Sequence, residues 1–404
     1  MFGGYFNFHI KGEFLSRLGL LLISCSYLSL FVLGFLDNSR GPLYPQILAQ
    51  YDLNSSVGSM IFVVPSLFSF IGSYLAKYFV QSIASIKGLF LGTVLMAFGY
   101  LFFSMSPSFN NVALSLGMFG FGLGVTAVFE HVAIQKAAGE KTRRKWLSGL
   151  HSIYAFASVV APFLIHGALE KGYEWHQIIF YFSLVGLAVV GFLFFVMVIY
   201  SKKDYAMKII SKDVFELNAT SMRSLTLICI IVAFYVSAEI SIATRITQLL
   251  TTEKSMVLAN ATNYVTYFFL LLFIGRVFFT FVSFPGVSAA KLLIICHSAS
   301  VVSFLLGLFV DPWFLVFCGI TMAPCYALNM DYIAEVYQNQ SPKIMAQVMS
   351  MTSLTVLIFH YSLGVLTDMF SVSKALLLSP LFILICIISL IIFDKKYGLR
   401  SYKI

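Results

Sequence analysis

Charge is scarce in this chain of 404 residues: 11% of the residues are Asp, Glu, Lys or Arg, whereas 59% are hydrophobic. An ordinary soluble domain has about 25% charged residues. Long polar stretches are lacking too, and the longest one covers only residues 201–222. No connecting segment is therefore long enough to form a separate soluble catalytic domain.

Catalytic and metal-binding motifs are also missing. The sequence has no Walker A motif, no HExxH and no GxSxG, which argues against ATP hydrolysis and against common hydrolase chemistry. Its six cysteines form no CxxC and all lie in apolar segments, where small buried side chains are the simplest explanation. We expect no enzymatic activity, no cofactor and no bound metal.

Apolar runs, in contrast, recur along most of the chain. A stretch of about 20 apolar residues matches the thickness of a bilayer core, and only helices or closed barrels cross it with their backbone groups paired. The runs are too long for barrel strands, so the sequence predicts an all-α polytopic membrane protein. The twelve predicted spans are residues 18–40, 55–78, 86–106, 111–136, 147–169, 176–200, 223–250, 258–283, 288–310, 313–338, 343–369 and 372–394.

The polar segment divides these spans into six and six. We therefore predict an N-terminal bundle over residues 1–200, a cytoplasmic linker over 201–222 and a C-terminal bundle over 223–404. Two pseudo-symmetric bundles around a central site are typical of secondary transporters.

The net charge of +9 is distributed unevenly. If both termini are cytoplasmic, 21 of the 26 Lys and Arg residues lie on the cytoplasmic side, as the positive-inside rule requires. These residues are expected to contact lipid head groups rather than nucleic acid. We expect a monomer in the inner (plasma) membrane of a bacterium.

Several segments resemble a known family. Span 7 reads Phe-Tyr-Val-Ser-Ala-Glu-Ile-Ser-Ile-Ala over residues 234–243, span 8 contains Phe273-Ile-Gly-Arg-Val277, and span 4 contains Gly120-Phe-Gly-Leu-Gly124 followed by Glu130. In their order along the chain, these segments resemble the fucose–proton symporter family of the major facilitator superfamily. Leu150-His-Ser-Ile-Tyr154 in span 5 is similar to related sugar-porter-like members. The resemblance implies a major facilitator fold and proton-coupled import of a sugar-like solute.

The chain departs from that family at the positions expected to carry coupling. Gly41 stands where the family has an aspartate, and the nearest acid is Asp37. Glu130 follows the span 4 glycines about one helical turn later than in the family, and His151 replaces an asparagine. Sugar specificity and proton coupling therefore do not transfer residue by residue.

Charges inside the spans mark candidate sites, because a charge at mid-bilayer costs about 2.5–3.5 kcal/mol on insertion scales. Asp37 and Arg40 are three residues apart, so they share a helix face and can pair; a self-neutralising pair at the rim is the simpler reading. Glu239 and Arg245 occupy span 7, the counterpart of span 1. The predicted substrate-binding residues are Asp37, Arg40, Tyr235, Glu239, Arg245, Tyr264, Tyr267 and His360.

Two further groups lie nearer the cytoplasmic ends of the spans. Glu130 and His131 on span 4, with His151 on span 5 and Asp37, are predicted to carry the coupling proton, since carboxyl and imidazole groups exchange protons near neutrality. A structural pair that anchors helix ends is the alternative. The predicted inner gate, or structural salt bridge, consists of Arg276, Asp331 and Glu335.

The solute class remains open at this level. The resemblance favours a sugar-like solute, whereas Arg40 and Arg245 favour an organic anion, such as a carboxylate metabolite or carboxylate siderophore, because guanidinium groups bind carboxylates bidentately. A drug–proton antiporter is a third possibility. A channel or an intramembrane enzyme would need pore or catalytic motifs that the sequence lacks.

Overall fold

The computed structural model describes residues 17–79, 82–138, 140–200, 219–282, 286–337 and 341–397. These residues contain twelve helical spans long and apolar enough to cross a membrane, and no strand, which confirms the predicted all-α fold. The helices are α1 (Arg17–Asp37), α2 (Arg40–Gln50), α3 (Ser55–Gly58), α4 (Met60–Phe79), α5 (Ser85–Ser104), α6 (Phe109–Ala137), α7 (Glu140–Glu170), α8 (Trp175–Tyr200), α9 (Ala219–Glu253), α10 (Leu258–Phe281), α11 (Ala289–Phe309), α12 (Trp313–Met322), α13 (Cys325–Tyr337), α14 (Ser341–Met369), α15 (Val372–Leu376) and α16 (Leu378–Tyr397). Of the predicted linker, residues 201–218 lie outside the described ranges, and α9 begins within its last four residues.

Prolines interrupt three of the spans. Proline has no N–H group, so Pro42 leaves the carbonyl of Asn38 without its helical donor, and the first span breaks there into α1 and α2. Pro324 accompanies the break between α12 and α13, and Pro380 the break between α15 and α16. The break in the first span is the one that shapes the candidate site.

Each half of the chain has its own apolar core. One large cluster of buried residues is drawn only from residues 23–182 and the other only from residues 228–393. Within lipid, helices associate through close packing rather than through a hydrophobic force. Gly120 illustrates this, because a Cβ atom there would lie 2.3 Å from the carbonyl oxygen of Pro65. The span 4 glycines therefore serve helix contact.

Short connections make successive spans antiparallel, so the bundle has two faces. We call the face at the start of α1 and the end of α16 the termini face, and the other one the opposite face. The two halves contact each other where α2 packs on α9, α7 on α10, and both α3 and α4 on α14. This packing brings residues from the two halves into one central region.

Candidate functional site

Glu239, near the middle of α9, lies at the centre of the second half. Its carboxylate accepts a hydrogen bond from Nη2 of Arg276 on α10, at 3.2 Å, and another from the hydroxyl of the buried Tyr235. The side chains of Glu239 and Arg276 are 16% and 22% exposed. The sequence predicts that Arg276 belongs to an inner gate or a structural salt bridge; in the structure it forms a salt bridge with Glu239, a predicted substrate-binding residue.

The first half holds a matching pair at the break between α1 and α2. Arg40 donates to the carboxylate of Asp37, which confirms the pairing expected from their spacing. Nη1 of Arg40 also donates to the carbonyl of Ile61 at 2.6 Å, so the guanidinium is held by backbone as well. Asp37 remains 26% exposed and Arg40 7%. The carboxylate is thus the accessible member of the pair.

Asn38 and Tyr154 lie near these two pairs, and the sequence analysis did not select them as site residues. Nδ2 of Asn38 donates to Oγ of Ser158 at 2.9 Å and to the hydroxyl of Tyr154 at 3.4 Å. Tyr154, on α7, lies within electrostatic range of Asp37 in its own half and of Glu239 in the other. Their sequence signals were their positions beside Asp37 and at the end of the span 5 motif.

Glu130 on α6 is buried, with 3% of its side chain exposed. Its Oε2 has no hydrogen-bond partner among the described residues, and its nearest ionisable neighbour is Nδ1 of His131 at 3.7 Å. That same Nδ1 lies 2.8 Å from the carbonyl of Ala127. A charged carboxylate in such surroundings is costly. His151 lies on α7, and its side chain is outside the described part.

Arg245 belongs to a separate group nearer the opposite face. It follows Glu239 by six residues, about 9 Å along the helix, and is 1% exposed. Its guanidinium lies 4.6 Å from the ring centre of Tyr44 and 5.4 Å from that of Phe62, and it donates to Oε1 of Gln248 at 3.1 Å. Within the described residues it forms no ion pair. Gln248 is a further residue that the sequence analysis missed.

His360 joins this second group rather than the central one. Its ring stacks on Phe62 at 5.0 Å, and its carbonyl lies 3.5 Å from Nη2 of Arg245. The histidine is 3% exposed, because the two halves close over it.

The structure does not bring Tyr264 and Tyr267 to Glu239. Both rings contact Trp313: the ring centre of Tyr264 is 4.8 Å from that of Trp313 in a tilted arrangement, and the ring centre of Tyr267 is 5.4 Å from it in a stacked one. They precede Arg276 by twelve and nine residues on the same helix, which separates them from it by about 14–18 Å along the axis. The sequence analysis selected these tyrosines because their span lines the cavity in related folds. In this structure α10 places them nearer the opposite face than Glu239.

The other two predicted gate residues lie near the termini face. Asp331 and Glu335 are exposed on α13. The six cysteines are all free.

The fold and the sequence both match known proteins. The family model described as the Major Facilitator Superfamily matches residues 26–358, whereas no curated protein matches the chain. Among solved structures, a D-xylose–proton symporter is similar with a TM-score of 0.75 and 11% identity, over 94% of this chain and 98% of the other. The peptide transporter POT gives a TM-score of 0.74 at 10% identity, over 94% and 95%. A bacterial homologue of the human lysosomal transporter Spinster gives 0.71 at 12% identity, over 97% and 100%.

At these identities the structural matches establish the fold alone. The family model, which covers most of the chain, also establishes the family. The protein is an integral membrane transporter and not an enzyme; the chain belongs to the major facilitator superfamily.

Proposed function

We propose that this transporter moves a polyhydroxylated, sugar-like solute together with a proton, by alternating access between its two halves. The observation that carries the proposal is the paired arrangement at the centre. Each half contributes one acid–arginine pair, Asp37–Arg40 and Glu239–Arg276, whose carboxylates stay partly exposed in otherwise apolar spans. Partly exposed carboxylates accept hydrogen bonds from solute hydroxyl groups.

The side chains between these pairs suit the same class of solute. Asn38 offers amide donors and an acceptor, and Tyr154 offers a hydroxyl group and a ring face. A sugar has hydroxyl groups around its rim and an apolar ring face, so it matches both kinds of surface. A drug–proton antiporter of lipophilic cations is disfavoured, because each central carboxylate is already paired with an arginine and offers no unbalanced negative charge to a cation.

Glu130 is the proposed proton carrier. It is the one buried carboxyl group in the described spans that has no arginine partner, and acids buried in the membrane commonly belong to proton relays. Tyr326 on α13 lies within electrostatic range of it. Protonation of Glu130 therefore changes the electrostatic environment of a residue in the other half.

The contacts between the halves favour one direction of access. Asp368 to Ser55, Gln248 to Ser55, and His166 to the carbonyl of Ala259 all join the two halves near the opposite face. If the termini are cytoplasmic, the structure is closed to the outside and the central pairs face inwards. We extend the proposal to proton-driven import across a bacterial inner membrane.

Uptake into proteoliposomes tests the proposal. A pH gradient, acidic outside, should drive accumulation of a radiolabelled sugar-like solute, and a protonophore should abolish it. Glu239→Gln should reduce uptake about tenfold or more, since one charge-assisted contact is lost. The matched control is Glu174→Gln, with 67% of its side chain exposed, which should leave uptake unchanged. Uptake that ignores the gradient, or that survives Glu239→Gln, would contradict the proposal.

A further inference from the structure

Two buried charged groups of the described spans belong to no acid–arginine pair. The charged side chains of these spans that are not exposed number three acids and three arginines: Asp37, Arg40, Glu130, Glu239, Arg245 and Arg276. Two acid–arginine pairs account for four of them. The remainder is Glu130 and Arg245, and Lys136, near the end of α6, adds a further cation whose Nζ atom is buried. Within the described residues, the buried guanidinium of Arg245 therefore has no carboxylate partner.

Arg245 is covered by protein side chains that do not satisfy all of its hydrogen-bonding groups. Among the described residues, Nε of Arg245 and Nδ1 of His360 both lack a hydrogen-bond partner, although both atoms are buried. Polar groups buried without partners are rare and point to a missing ligand or an alternative state. Together these two groups and Gln248 form a small polar patch on the second half.

Three side chains of the first half lie against this patch. The ring of Tyr44, on α2, and the ring of Phe62, on α4, lie against the guanidinium. Ser55, at the start of α3, accepts from Nε2 of Gln248 at 3.0 Å. Separation of the halves at the opposite face therefore uncovers Arg245 and replaces the aromatic rings with water. An exposed guanidinium then binds a carboxylate in preference to a ring.

We propose that the transported solute is a sugar acid with one carboxylate, that Arg245 binds this carboxylate when the opposite face opens, and that one proton travels with it. The inference rests on the proposed function and adds the charge of the solute. A monoanion and a proton together carry no net charge, so each cycle transfers no net charge across the membrane. A neutral sugar with a proton would transfer one positive charge per cycle and would leave the Arg245 guanidinium without an anion.

The groups around Glu130 leave it the freedom to exchange its proton. On its own helix His131 is the nearest ionisable group, at 3.7 Å, and Tyr326 of the second half lies within electrostatic range of it. The described residues of α1, α4 and α5, which pack on α6, place no basic side chain within 4.0 Å of its carboxylate. No cation of these three helices therefore competes with the proton.

Three matched pairs of solutes test the charge. Each pair joins a sugar acid to its uncharged counterpart: D-gluconate with D-sorbitol, D-glucuronate with D-glucose, and D-galactonate with galactitol. In proteoliposomes, a pH gradient should drive uptake of at least one acid and not of its counterpart. A membrane potential imposed with potassium and valinomycin, at equal pH on both sides, should drive no uptake of that acid.

Variants at Arg245 test the site. Arg245→Gln should lower uptake of the acid about tenfold or more, which is the loss of one charge-assisted contact, while Arg245→Lys retains a larger share. If Arg245→Gln fails to fold, as judged by gel filtration, Arg245→Lys and the wild-type potential measurement still decide the matter.

The outcomes separate the two proposals. Uptake of neutral counterparts alone, uptake driven by the potential, or full activity of folded Arg245→Gln would overturn the charge assignment and leave proton-coupled transport standing. The absence of gradient-driven uptake for all six solutes would overturn both.

Discussion

The carboxylate of Asp368 accepts hydrogen bonds from the backbone N–H groups of both Ser55 and Ser56, each at 2.7 Å. Asp368 lies at the end of α14 and the serines start α3, so the contact joins the two halves at the opposite face. The first N–H groups of a helix lack internal partners, and a negative charge there is favourable. The hydroxyl of Ser56 donates to the same carboxylate. We interpret this contact as a latch that holds the opposite face closed.

Asp368→Asn should weaken the latch, because the amide keeps the shape of the side chain but loses its charge. The exposed position limits the effect to about 1 kcal/mol, or roughly fivefold in the open population. Labelling of a single cysteine, Thr247→Cys on buried α9, by an impermeant maleimide should accelerate by that factor in a background without other cysteines.

The control for the latch is Asp311→Asn. This aspartate also lies at the opposite face and caps a backbone N–H, that of Trp313 at 2.8 Å, but it connects neighbouring spans of one half. It should leave the labelling rate unaltered. An equal rate in Asp368→Asn and the parent would show that the latch does not hold the face closed.

Gly41 marks the tightest approach of α2 to α9. A Cβ atom at this position would lie 2.2 Å from the carbonyl oxygen of Ala243, and neither backbone can move without separating the halves. Gly41→Ala should therefore disfavour the closed opposite face and reduce uptake by about tenfold or more, because overpacking costs roughly 1–3 kcal/mol. Gly167→Ala is the matched control, since nothing lies within 4 Å of a Cβ there. Normal uptake by Gly41→Ala would exclude this contact from the transport cycle.

The Glu239–Arg276 pair should show strong coupling in a double-mutant cycle. Removing one partner leaves an unpaired charge, which costs about 3 kcal/mol in buried pairs, whereas removing both leaves none. The thermal unfolding temperature in detergent should therefore be lower for Glu239→Gln and for Arg276→Gln than for the double variant. Additive losses in the double variant would mean that the pair has no stabilising interaction.

Glu130→Gln should separate binding from coupling. The amide is permanently uncharged, so it imitates the protonated acid and cannot release a proton. Exchange of labelled for unlabelled solute across the membrane should persist, while accumulation driven by a pH gradient should be lost. Glu170→Gln, with 60% of its side chain exposed at the end of α7, should behave as the parent does. Retention of gradient-driven accumulation in Glu130→Gln would move the proton site elsewhere.

Local spacing predicted those parts of the site that lie within one helix. Asp37 and Arg40 pair because residues three apart share a helix face, and the break beside them follows from Pro42. The Glu239–Arg276 pair joins residues 37 positions apart, and no spacing rule connects them. The contact of the Tyr264 and Tyr267 rings with Trp313 likewise depends on the relative orientation of two helices.

The sequence by itself determined that this chain forms a bundle of twelve membrane helices, because hydrocarbon tolerates only long apolar segments with their backbone groups paired. The sequence also determined which few ionisable side chains lie within the apolar segments and therefore need partners. The tertiary structure alone decided which residues of other helices are those partners. Arg276 joins Glu239, Arg245 lies under two rings from the other half, and these choices arise from the packing of helices distant in sequence, for which composition and periodicity contain no information.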